Sequence, residues 1–80
     1  MNEIKKLRNK IDRIDIKLVK TLHKRIKIAS KIKQLKEKNK IKIEDKSREK
    51  EITDRLKLLK LLNSKTIEKI YKEIFNITKK

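Results

Sequence analysis

The chain has 80 residues, and its 27 Lys or Arg against 11 Asp or Glu give a formal charge of +16 and a pI near 10.3. It contains no Gly, Pro or Cys, which excludes a disulfide scaffold, a Cys-ligated zinc site and any Gly-rich phosphate loop. No apolar run approaches the roughly 18 residues of a membrane span and the N-terminus has no signal-peptide core, so a soluble cytoplasmic protein of one domain, residues 1–80, is expected.

Without the residues that punctuate strands and hairpins, the chain reads as all-α, with three helices. The first should run from about residue 3 to about residue 38. At about 100° per residue, Ile4, Leu7, Ile11, Ile14, Leu18, Leu22, Ala29 and Ile32 fall in a stripe roughly 80° wide. Such a helix is roughly 50 Å long, too long for a globule of this size, and the remaining residues are too few to cover its stripe. A second copy of the chain is the expected cover. Two cations, Arg25 and Lys36, lie inside the stripe, within about 20° of its midline. Charge on a buried face is costly unless an anion meets it, so these positions ask for a negatively charged ligand. In the rival reading, Arg25, Lys36 and Arg48 merely snorkel from the stripe's edges.

Residues 39–44 read as a connector, with Ile41 and Ile43 tucked inward. Asp45 is a good N-cap for a second helix over about residues 46–62, whose apolar face collects Ile52, Leu56, Leu59 and Leu62. Arg48 projects onto that face from the first turn, where the helix dipole disfavours a cation. Asn63 and Ser64 break the pattern, with Ser64 the candidate N-cap. A third helix then carries Ile67, Ile70, Tyr71, Ile74 and Phe75 to the end.

The residue types limit the chemistry. His23 is the single His, there is no Cys, and the Ser and Thr residues have no evident partner base, which argues against nucleophilic catalysis. One His also argues against a transition-metal site, so no metal or cofactor is expected. Asp12 and Asp15, three apart on a helix, fit salt bridges to neighbouring lysines. What remains is a set of fixed positive charges in apolar walls: Arg25, Ala29, Ile32 and Lys36 from the first helix, with Arg48 and Glu49 from the second. Such a pocket suits a small dicarboxylate, and can catalyse by holding one conformer and stabilising developing negative charge. The net charge also invites a nucleic-acid-binding helical dimer with salt-sensitive affinity. That reading leaves the two cations in the stripe unexplained, and with Tyr71 and Phe75 as the only aromatics it offers little base stacking.

Leu7-Arg8, Ile11-Asp12 and Ile14-Asp15, then Leu18, Leu22, Arg25, Ile32 and Lys36, followed by Asp45, Arg48 and Glu49, closely resemble the all-helical (type II) chorismate mutase family over roughly residues 4–59. The resemblance implies an intertwined homodimer of three-helix chains that converts chorismate to prephenate without a cofactor. It implies that Arg25 grips a substrate carboxylate and that Lys36 hydrogen-bonds the ether oxygen and stabilises its growing charge. Glu49 matches the acidic residue that binds the substrate hydroxyl. Asp45 and Arg48 match positions lining the pocket, and Ile32 an apolar position packed on the ligand. Arg8 matches an arginine supplied by the other subunit. That agrees with geometry, since Arg8 and Arg25 stand about 25 Å apart along one helix and cannot grip one small ligand together.

Two departures stand out. Thr78 aligns with the family's serine-type carboxylate contact, which puts the family's last ether-oxygen contact, a Gln or Glu, at about position 82. Either a C-terminal turn is missing, or Lys79 or Lys80 substitutes, or catalysis is weaker. Lys33 stands where the family favours a small residue and is expected to add surface charge. A related branch of the fold supports isochorismate-pyruvate lyase activity, which the sequence does not separate from the mutase.

Overall fold

The computed structural model describes residues 2–78. Three helices account for most of it: α1, Asn2–Lys38; α2, Lys46–Lys57; and α3, Ser64–Thr78. Among the described residues there is no strand. No described helix is long and apolar enough to cross a membrane. The molecule is a rod with an offset head, 57 × 24 × 16 Å. In that head, α3 packs against both α1 and α2.

α1 runs for 37 residues because nothing in it interrupts a helix. It ends in a Schellman turn. Ile41 N–H donates to the Lys36 carbonyl at 2.7 Å and Lys40 N–H to that of Glu37 at 3.2 Å. Lys40 takes φ 57° to close it, and Lys60 takes φ 55° after α2. Glycine usually fills such positions, and a side chain there costs about 1–2 kcal/mol. Lys40→Gly should therefore raise the thermal midpoint by a few degrees, a gain of about 0.5–1 kcal/mol after the added freedom of the unfolded chain. An unchanged or lower midpoint by circular dichroism would show that the turn is not strained.

α2 is shorter than its apolar period implies. It ends at Lys57 rather than at about residue 62, with Leu58 as C-cap. Leu59 N–H and Lys60 N–H close back onto the carbonyls of Leu56 and Lys57, each at 3.2 Å. The left-handed Lys60 then reverses the chain, leaving Leu59 and Leu62 exposed. The next cap also differs from expectation. Asn63 Oδ1 accepts from Thr66 N–H at 2.8 Å, so Asn63 is the N-cap and Ser64 opens the helix. Both residue types cap well, and Asn63 does so one residue earlier. Ile41 is not tucked in. The backbone bends at Ile43, which breaks the alternation between the two, so that Ile43 is half-buried and Ile41 exposed.

Lys57 Nζ meets Glu68 Oε1 at 2.7 Å and ties α2 to α3. On the outer face of α2, the Lys50 Nζ–Asp54 Oδ2 hydrogen bond at 2.7 Å raises the lysine pKa and lowers that of the carboxylate. This pair is in open solvent and contributes little to stability.

Ile67 is the one buried residue among those described. Tyr71, Ile74 and Phe75 are half-buried beside it, while every residue from 2 to 21 is exposed. About 30 Å of α1 thus projects beyond the head. The stripe runs along this projection uncovered, with Leu7 57% and Leu18 63% exposed. A core this small falls short of what offsets chain entropy in an isolated domain.

Candidate active site

The head contains an open hollow of about 290 Å³ where all three helices meet. From α1 come Arg25, Ile32 and Lys36, spaced seven and four residues apart so that they share a face. The start of α2 supplies Asp45, Arg48 and Glu49, and the last turn of α3 supplies Thr78. Seven of the eight sequence-predicted site residues therefore surround one cavity. The eighth, Arg8, is exposed on the projecting part of α1 and does not reach it.

Each charged group is held differently. Arg25 is half-buried between α1 and α3, its Cζ 5.6 Å from the Tyr71 ring centre and 5.8 Å from that of Phe75. The two rings meet edge to face, with centres 5.7 Å apart and planes at 60°. Lys36, also half-buried, lies in the last turn of α1, and its Nζ donates to the Ile43 carbonyl at 3.3 Å. One of its three N–H donors is thereby engaged. The negative end of the helix dipole favours an ammonium at this position. Arg25 and Lys36 are thus not splayed into solvent as the snorkelling reading requires.

Arg48 is more exposed. Its Nη1 donates to Glu51 Oε1 at 2.6 Å, and the same oxygen accepts from Arg55 Nη2 at 2.9 Å. Glu49 is half-buried on the hollow's wall. Asp45 Oδ1 caps α2 by accepting from Arg48 N–H at 3.0 Å, so this carboxylate fixes the turn that carries Arg48 and Glu49. Thr78 Oγ1 bonds back to the Ile74 carbonyl at 3.0 Å and the Phe75 carbonyl at 3.3 Å. Lys79 and Lys80, either of which was a candidate for the last ether-oxygen contact, lie outside the described residues.

Asp45 can be tested in two steps. Asp45→Ala should cost about 1 kcal/mol of stability, the usual value of a lost N-cap. Asp45→Asn keeps a capping oxygen and should restore it. A loss of ligand binding in the Asn variant at full stability would assign the carboxylate a second role, whereas normal binding would leave capping as its function.

Several lining residues were not legible in the sequence. Ile43 and Ile52 wall the hollow from the connector and α2, and Phe75 from α3. Lys33 is not merely surface charge. It is half-buried and lines the cavity beside Arg25, Ile32 and Lys36. Arg25, Lys33, Lys36 and Arg48 share the cavity lining with Asp45 and Glu49, a formal surplus of two positive charges. An open hollow with apolar walls and this surplus fits a small dianion, whose carboxylates the Arg forks can bind bidentately.

The family model described as chorismate mutase type II matches residues 7–80. Neither the comparison with curated proteins nor that with solved structures gives a match.

Proposed function

The chain belongs to the chorismate mutase type II family, and from that membership we propose that it rearranges chorismate to prephenate at the three-helix hollow. The observation that carries this reading is the convergence of Arg25, Lys36, Arg48 and Glu49, with Thr78, around one cavity of matching net charge.

The chemistry asks for no nucleophile, metal or cofactor. In the Claisen rearrangement one C–O bond breaks as one C–C bond forms, within a single molecule. Catalysis comes from selecting the compact conformer in which the two ends approach, and from stabilising the charge that gathers on the ether oxygen. Arg25 grips one carboxylate. Lys36 donates to the ether oxygen, and Glu49 accepts from the substrate hydroxyl. Arg48 and Thr78 complete the polar contacts, while Ile32 packs on the ring. Asp45 holds the start of α2 in place.

The remaining carboxylate contact is Arg8 of a second copy, so the working unit is a homodimer in which residues 1–80 act as one domain per chain. Support for the dimer comes from the bare projection of α1, whose apolar stripe is of the kind that marks a protein interface. An antiparallel partner laid along it would bring its own Arg8 towards the open side of the hollow. Cytoplasmic residence follows from this reading as a biosynthetic enzyme.

Incubating the pure protein with chorismate and following its loss and the appearance of prephenate tests the proposal. Acceleration over the uncatalysed reaction is expected. A folded protein that gives none would reject it, and pyruvate released from isochorismate instead would assign the site to the lyase branch.

A further inference from the structure

The chain contains one Tyr and one Phe in 80 residues, and both lie against the guanidinium of Arg25. The rest of the apolar packing is aliphatic apart from these two rings, so ring volume is not a general requirement of this fold. We propose that Tyr71 and Phe75 form an aromatic bracket that positions Arg25 for a ligand carboxylate, with Tyr71 a positioning residue that does not itself touch the ligand.

An arginine in this place must be held in one direction to meet a carboxylate. Its long side chain has many rotamers, and a ligand must overcome that entropy unless the protein has already ordered it. A carboxylate could order it, as Glu51 orders Arg48 at 2.6 Å, but that partner occupies N–H donors and offsets the charge. A ring face attracts a cation through its quadrupole and leaves the guanidinium charged, with its N–H donors available. Arg25 Cζ lies 5.6 Å and 5.8 Å from the two ring centres, within the range of this attraction.

The pair is also braced from within. Tyr71 and Phe75 are one helical turn apart on α3, and their edge-to-face contact at 5.7 Å restricts both rings. Phe75 lines the hollow, whereas Tyr71 is not among its walls. Tyr71 thus meets Arg25 from behind, and a change at Tyr71 reaches the ligand only through the arginine. The bracket also makes α3 part of the binding apparatus, since it couples the α1–α3 packing to the direction of Arg25.

The functional half of this inference rests on the mutase reading, so the experiment has two arms. In the first, the side-chain Nε–Hε resonance of Arg25, assigned by its disappearance in Arg25→Lys, is recorded in the full-length protein without substrate. Ring currents should displace it from the position of a free arginine. Tyr71→Phe should keep the displacement, and Tyr71→Leu should shift it measurably, to what the Phe75 ring alone produces. In the second arm, Tyr71→Leu should raise KM for chorismate about 3- to 10-fold with little change in kcat, and Tyr71→Phe should behave as wild type. Circular dichroism and the thermal midpoint establish that the variants are folded. Should Tyr71→Leu fail to fold, Tyr71→Met carries the same comparison.

An Arg25 resonance that does not move in the Leu variant overturns the bracket, whatever the activity. So does a Phe variant as impaired as the Leu variant, which would give the role to the hydroxyl. If the resonance shifts as expected but the wild-type protein does not consume chorismate, the bracket stands and the mutase reading fails.

Discussion

Lys36→Ala should lower kcat for chorismate by about 10²–10³-fold while leaving KM within a few-fold of wild type. The ether oxygen of the substrate is formally neutral, and it gains negative charge only as the C–O bond breaks. An ammonium aimed at it therefore interacts far more strongly with the transition state than with bound chorismate, and that difference appears in kcat. The setting favours a large effect. Lys36 is half-buried in the last turn of α1, its Nζ fixed 3.3 Å from the Ile43 carbonyl. Ile32, Ile43 and Ile52 wall the same cavity and lower the local polarity. Lys36→Arg keeps the charge but replaces a compact point with a planar fork, and should recover only part of the loss. Steady-state kinetics on variants of unchanged helicity decide the matter. A rise in KM with kcat unchanged would mean that Lys36 serves binding alone, and comparable losses in both would contradict a charge matched to the transition state.

The polar half of this site could be read from the sequence because α1 has one uninterrupted period. Arg25, Ile32 and Lys36 are related by helical spacing within a single element, so the wheel alone puts them on one face. Asp45, Arg48 and Glu49 were equally legible, since an N-cap fixes the phase of the residues that follow it. The end of α2 was not. Leu59 and Leu62 continue the apolar period, while the reversal depends on a left-handed Lys60, for which a chain without glycine gives no sign. The aromatic bracket was hidden for another reason. Tyr71 and Phe75 carry a perfectly good core spacing on α3, and only the packing of α3 against α1 brings them to Arg25. Lys33 shows the same limit from the other side, because a wheel drawn for α1 alone does not reveal how wide a cavity opens beside it.

These differences share a cause. Periodicity within one helix reports which residues face together, whereas the width of a cavity and the backing of its charges are set by neighbours. The hollow is lined on the α1, α2 and α3 sides by this chain's own residues. Its open side, and the bare length of α1 from residue 2 to residue 21, are where those relations would be completed by another chain.

Mixing Arg8→Ala protein with Arg25→Ala protein should create active sites that neither variant has alone. Arg8 is exposed on the projecting half of α1, about 25 Å along the helix from Arg25, so one chain cannot bring both to one ligand. In either variant homodimer, each of the two sites lacks one arginine. In the heterodimer, the chain that keeps Arg25 receives an intact Arg8 from its partner and forms a complete site, while the other site lacks both. Random exchange in an equal mixture makes about half the dimers hybrid, so about a quarter of all sites should be complete. Each parent should lose at least about 10²-fold in kcat/KM, because removing one member of a charge-assisted contact leaves a ligand carboxylate poorly matched. Activity should therefore climb towards a quarter of the wild-type value as subunits exchange, and mass spectrometry of differently tagged chains can follow the exchange itself. If exchange goes to completion and the mixture is no more active than its parents, Arg8 is not shared between subunits, and the apolar length of α1 would need another explanation.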